Sequence, residues 1–158
     1  MLTLSTDTLS VALIDPAKPA EQLHLGPRFC WGGFIWQIED AEVGPLLAGP
    51  EWPKSDPLPF NGQGLPESFR SHEFGTNRPL MLEDSRGFIV GIGDVDRDRE
   101  GKLAVITPCP WSITTSHGAI EFCTEQVGNG YACQLTRRIA LNNRKLTSST
   151  RIANLGER

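Results

Sequence analysis

The stretch YACQLTRRIALNNRKLTSSTRIA, residues 131–153, decides how the chain is read. Two long runs flank the polar triplet Asn142-Asn143-Arg144, and such a triplet between apolar-containing runs is a hairpin turn signal. Tyr131 to Leu141 alternates only partly between apolar and polar residues. Its length nonetheless suggests a strand that runs the full width of a large sheet. Lys145 to Ala153 would return beside it. Arg137 and Arg138, with Arg144 and Lys145, form a small basic cluster that is read as a solvated strand face.

The same grammar extends backwards. Phe88 to Ile92, Leu103 to Thr107, Trp111 to Ser116 and Ala119 to Gln126 are strand candidates, parted by Asp94 to Gly101, Pro108-Cys109-Pro110, His117-Gly118 and Gly128-Asn129-Gly130. Regular short strands with turn signals predict an antiparallel meander, hence an all-β sandwich or barrel. Leu9 to Ile14 and Phe34 to Glu39 add two strands nearer the start. Between Gly44 and Pro79 breakers are so frequent that an extended loop is expected, and loops this long in a compact domain are usually functional or disordered. Trp52, Phe60, Phe69 and Phe74 point to order, because disordered segments are poor in aromatics.

With 158 residues and 39% hydrophobic content, the chain fits one domain with one core. Sixteen glycines and twelve prolines suit many turns between short strands. A net charge of −4 gives no basic face for nucleic acid. The sequence has no run of apolar residues long enough for a membrane span and no signal-peptide pattern at its start, so the expected location is the cytoplasm. Cys30, Cys109, Cys123 and Cys133 lack C-x-x-C spacing and read as reduced, buried small hydrophobes, not metal ligands.

Three histidines invite acid–base readings. His117 precedes Gly118 in a turn and reads as exposed. Asp94-x-Asp96-x-Asp98 resembles a calcium loop only superficially, since Arg99 and Val105 occupy the places of its glycine and its bidentate glutamate. His72 is the stronger candidate. It lies in Glu67-Ser-Phe-Arg-Ser-His-Glu-Phe-Gly75, where two carboxylates, an arginine and a histidine sit close together among aromatics, as a polar-ligand site requires.

The stretch GPRFCWGGFIWQI, residues 26–38, poses a conflict, with Arg28 set among Phe29, Trp31, Phe34 and Trp36. Arg28-Phe-Cys-Trp-Gly-Gly-Phe-Ile35 resembles the A-R-F-D-W-[ST]-G-F-I segment of proteins similar to aldose 1-epimerases (galactose mutarotases). Gly49-Pro-Glu-Trp52, His72-Glu-Phe-Gly75, Phe88 to Gly93, Gly130-Tyr-Ala132, Thr136 to Leu141 and Ile152 to Gly156 resemble further motifs of that family, in order along the chain. Cys30 and Gly32 depart from the family pattern, and His72 replaces the first Glu of an acidic pair. The resemblance implies a galactose mutarotase-like β-supersandwich, of which residues 1–158 would be the N-terminal half, with residues 44–79 as a long ordered loop. It implies an isomerase chemistry, the interconversion of hexose anomers by a general acid and a general base, with no cofactor. The family's acid His and base Glu lie beyond the point matching Arg158, so the resemblance implies a chain lacking the catalytic half. What it would retain is a sugar wall of Arg28, Trp31, Arg70 and Glu73, with His72 as the acid–base candidate.

A second expectation follows from the last strand. Read as final, Lys145 to Ala153 presents unpaired backbone groups, which favours pairing with a second copy or with a complementing chain. On that reading the protein is a non-enzymatic β-sandwich assembly module. A monosaccharide ligand, no nucleic acid and no membrane complete the expected partners.

Overall fold

In a computed structural model the described residues are 1–18, 26–48, 64–73, 76–79, 82–83, 86–128 and 130–157, with 70–73, 76–79 and 82–83 described by backbone alone. Every regular element among them is a strand, and every pairing is antiparallel. The all-β expectation is therefore met.

Among the described residues the strands form three four-stranded sheets and one two-stranded ribbon. The first sheet runs β1 (Leu2–Ser5), β2 (Leu9–Leu13), β3 (Ile35–Asp40) and β4 (Gly44–Pro45). The ribbon pairs β5 (Arg70–Glu73) with β6 (Thr76–Pro79). The next sheet orders β7 (Leu82–Glu83), β8 (Arg86–Ile89), β9 (Gly93–Arg97) and β10 (Leu103–Pro108) as neighbours. The largest comprises β11 (Ser112–Ser116), β12 (Ala119–Gly128), β13 (Tyr131–Asn142) and β14 (Lys145–Asn154).

Period-two alternation builds the core. On β13, Cys133, Leu135, Arg137, Ile139 and Leu141 are buried, whereas Arg138 and Asn142 on the opposite parity are exposed. Ile120 and Phe122 of β12 lie beside Ile139 and Arg137 in register. Ile120, Phe122, Ile139 and Leu141 pack with Leu4, Leu9, Val11, Leu13 and Ile35 of the first sheet. Two sheet faces thus share one apolar layer, as sandwich packing requires. A second cluster joins Trp31, Phe34 and Trp36 to Ile89, Ile92 and Val95, tying the second four-stranded sheet to the segment before β3.

Three expectations change. Asp94 to Gly101 is not one charged turn, because Gly93–Arg97 is strand β9. Its alternation buries Val95 completely while Asp94 points to water, so the core claimed residues whose composition looked like a turn. Only Asp98 to Lys102 turns back, closed by the Asp98 carboxylate, which accepts the Lys102 N–H at 2.8 Å. Residues 44–79 are not loop throughout either, since β4, β5 and β6 fall within them. Residues 49–63, which include Gly49-Pro-Glu-Trp52 and Phe60, lie outside the described residues, as do Phe74 and Gly75. Finally, Arg137 is no part of a solvated face: it is 1% exposed.

Candidate functional site

Arg137 is buried because of its parity. It shares the inward face with Leu135 and Ile139, so a cation stands in a row of aliphatic side chains. Burying a charge is expensive unless partners surround it, and those partners come from three places. Glu67 supplies a carboxylate 3.0 Å from Nη1. Ser148 on the neighbouring strand lies 2.9 Å from Nη2, and the Gly33 carbonyl accepts from the same nitrogen at 3.4 Å. Neither Nε nor Nη1 makes a hydrogen bond, so Glu67 meets Nη1 as an ion pair.

The Gly32-Gly33 pair explains how the chain approaches this guanidinium so closely. Gly33 has φ +68°, a conformation costly for side-chain-bearing residues. A Cβ there would stand 3.2 Å from the Arg137 Cβ and 3.4 Å from its Cζ. At Gly32 the restriction is harder, because a Cβ would fall 2.3 Å from the Trp111 ring. The two glycines form a flat turn pressed on one side by an aromatic and on the other by a cation.

Residues 64–69 form a strap across the site. The Leu65 N–H donates to the Ile35 carbonyl at 2.8 Å, and the Cys30 N–H donates to the Glu67 carbonyl at 2.7 Å. The Ser68 hydroxyl donates to the Arg28 carbonyl at 3.2 Å. These bonds hold Glu67 over Arg137. The Thr150 hydroxyl, directly across the ladder from Arg137, sits 2.7 and 2.9 Å from the two Glu67 oxygens. The Glu67 side chain retains 36% exposure, so this carboxylate is fixed from beneath and beside yet open to solvent.

Of the residues singled out in the sequence, Arg28 is exposed at the end of the strap, with its guanidinium carbon 4.9 Å from the Phe29 ring centre. A cation–π contact of this kind orients an otherwise floppy side chain. Phe29 in turn meets Phe34 edge-on at 6.4 Å. Trp31 is placed differently: it is 2% exposed, packed in the core, and its Nε1 donates to the Gly26 carbonyl at 2.9 Å. Arg70, His72 and Glu73 lie on β5, where Arg70 pairs with Pro79, His72 with Asn77 and Glu73 with Thr76. Their side chains lie outside the described residues.

The arrangement brings Arg28, Glu67 and the start of β5 onto one continuous segment pair. It also adds four residues absent from the sugar wall read from the sequence: Glu67, Arg137, Ser148 and Thr150. The signal for Arg137 was its spacing of two from Leu135 and Ile139, outweighed by the neighbouring arginine. Nothing in the sequence marked Ser148 or Thr150, whose role depends on strand register.

Burial follows the expectation for three of the four cysteines, whereas Cys123 is of intermediate exposure. All four are free, with Cys30, Cys109 and Cys133 buried. Burial pushes the Cys30 and Cys109 thiols up to about 12, with Arg137 pulling the other way on Cys30. Among the described residues no group of three His, Cys, Asp or Glu side chains could hold a metal ion, and no helix is long and apolar enough to cross a membrane. No protein-family model matches the chain, and neither a curated protein nor a solved structure matches it.

Proposed function

We propose that the chain is an aldose 1-epimerase-like, carbohydrate-binding protein whose ligand is a free hexose. The reading rests on Glu67, a carboxylate locked by Arg137 and Thr150 yet open on its remaining side. Sugar hydroxyls are bound by charged acceptors whose geometry is set before the ligand arrives, because a pre-ordered group loses little entropy on binding. Arg28, exposed at the other end of the strap and lying on the Phe29 ring, supplies a donor and an apolar surface in the same neighbourhood. Few placed polar groups beside an aromatic wall are what small polar ligands need. Trp31 supports this wall from the core and does not line it.

Arg70 and His72, of one parity on β5, would extend the site three residues beyond the strap's carboxylate, while Glu73 has the opposite parity and belongs to the other face. In this reading His72 is the group able to move a proton between ring oxygen and anomeric hydroxyl. A supersandwich architecture belongs to the same proposal, and the shared core of two antiparallel sheets accords with it.

Titration with glucose and galactose, followed by changes in amide NMR shifts, tests the binding. Saturable shifts at Glu67 and Arg28 in the millimolar range, lost in Glu67→Gln with the rest of the spectrum unchanged, are expected. Absence of any shift at sugar concentrations near 100 mM, where even ligands with Kd of roughly 10 mM register, would sink the proposal. Polarimetry then separates binding from turnover. A mutarotation rate above buffer that disappears in His72→Ala assigns His72 the proton transfer, and a rate equal to buffer leaves binding as the activity.

A further inference from the structure

Among the described residues, the edges of the three four-stranded sheets are short or irregular with one exception. β1 has four residues and β11 five; β4 and β7 have two each. β10 has six, but its register shifts between Val105 and Thr107 and it ends in Pro108. Short length, bulges and proline are the usual devices that keep an edge from recruiting another strand. β14 has none of these three, and its charges are confined to Lys145 and Arg151. Its ten residues pair with β13 without a register break, it contains no proline, and among the described residues no strand covers its other side.

We propose that β14 is the seam of a homodimer, in which a second copy adds its own β14 antiparallel and the two large sheets become one. The choice of a second copy follows from the strand's own order of residues. A two-fold axis normal to the sheet keeps faces together, so opposed residues must share parity. With the axis at Ser149, Leu146 stands opposite Ile152, Ser148 opposite Thr150, and Ser149 opposite itself. Thr147 faces Arg151 and Lys145 faces Ala153.

That register matches like with like where it helps and keeps Lys145 from directly opposing the second copy's Arg151. Apolar residues meet on the inner face, where Leu146 already packs against the core and Ile152 is 49% exposed. Hydroxyls meet in the middle, and cross-strand hydroxyl and apolar pairs are the favourable units of a sheet. Shifting the axis one position towards Ser148 sets Lys145 against Arg151. Shifting it towards Thr150 sets Ser148 against Ile152 and Leu146 against Asn154. Of these three registers, the one centred on Ser149 is the most self-complementary.

The seam also reaches the site. Ser148 and Thr150 hold Arg137 and Glu67 within one copy. Across the axis Ser148 of the second copy would lie beside Thr150, so the two polar clusters become neighbours. This inference concerns assembly and stands apart from the sugar proposal, which is read out by ligand titration.

Light scattering coupled to size exclusion, on the full chain, provides the test. A dimer is expected, and Thr147→Lys should weaken it by roughly tenfold, since it opposes a lysine to Arg151 twice across the axis. Thr147 is exposed and outside the core, so this variant keeps the monomer fold. Adding Arg151→Glu to Thr147→Lys should restore the dimer by opposing unlike charges. A wild type that stays monomeric up to about 1 mM, or a dimer indifferent to Thr147→Lys, would overturn the proposal.

Discussion

Arg137 and Glu67 meet at 3.0 Å with unequal exposure, the guanidinium at 1% and the carboxylate at 36%. The asymmetry predicts an asymmetric response to mutation. Removing Glu67 leaves an uncompensated cation in the core, whereas removing Arg137 leaves a carboxylate that water can still reach. Breaking a fully buried pair costs ~3–5 kcal/mol. The exposed partner here lowers the expectation for Glu67→Ala to about 2–3 kcal/mol. In Arg137→Met/Glu67→Gln the loss should largely vanish, because an apolar chain of similar length fills the place between Leu135 and Ile139. Urea denaturation of the three proteins checks it. If the double variant is no more stable than Glu67→Ala, burial of the unpaired charge is not the dominant cost.

Gly32 should tolerate no side chain. Its Cβ would penetrate the Trp111 ring at 2.3 Å, and that ring sits among core residues on both sides. Gly32→Ala must therefore displace either the turn or the indole, an overpacking cost of about 1–3 kcal/mol. Pairing it with Trp111→Leu should recover part of the loss by vacating the space. Thermal melts that show Gly32→Ala as stable as wild type would place the turn elsewhere. In this chain a large neighbour occupies the room a side chain at this position would need.

How far the sequence disclosed this picture varies by feature. The meander from Leu103 to Asn154 was legible because hairpin turns and strand lengths are local signals, and β10 to β14 form where turn chemistry put them. β9 was hidden by its aspartates. A strand with one buried valine between carboxylates carries too little alternation to outweigh the composition of a turn. The site was half legible: Arg28 and the Glu67 segment stood out as charges among aromatics, while Arg137 looked like surface. Which of two adjacent arginines turns inward depends on register against β12 and β14, and that register is fixed by contacts distant in sequence. Trp31 shows the converse, an aromatic beside glycines that packs inward instead of lining a wall.

Asp40 closes the turn after β3 and is expected to make stability acid-sensitive. Its carboxylate accepts from the Glu42 N–H at 2.9 Å and the Val43 N–H at 3.3 Å, and Arg144 pairs with its other oxygen. The Glu42 N–H, then the Val43 N–H and Arg144, hold the carboxyl below its ordinary value of 3.8. A carboxyl with a depressed folded pKa stabilises above the unfolded value, and that contribution is lost as pH falls through the folded one. Asp40→Asn should therefore be less stable than wild type at neutral pH, and the gap should close as pH drops well below 3.8. Denaturation midpoints for both proteins across the acid range decide it. A gap that persists unchanged at low pH would assign Asp40 a role independent of its charge.

At the alkaline end the buried thiols should govern. Cys30 and Cys109 stand at about 12 against an ordinary 9.0, chiefly because burial penalises the thiolate. Above pH 9 the unfolded chain releases these protons while the folded chain keeps them, so unfolding is progressively favoured. The contribution is fully present below the unfolded value and is lost as pH rises towards the folded one. Each thiol can remove up to ~1.4 kcal/mol per pH unit in that window. Cys30→Ala/Cys109→Ala should be less stable than wild type at neutral pH through lost packing, yet show a shallower decline between pH 9 and 11. Alkylation gives an independent reading. The more exposed Cys123 should be labelled in the native protein at pH 8, while Cys30 and Cys109 label only when the chain is unfolded. Rapid native labelling of Cys30 would mean that the Gly32 turn and the strap open without global unfolding, and the locked carboxylate at Glu67 would open with them.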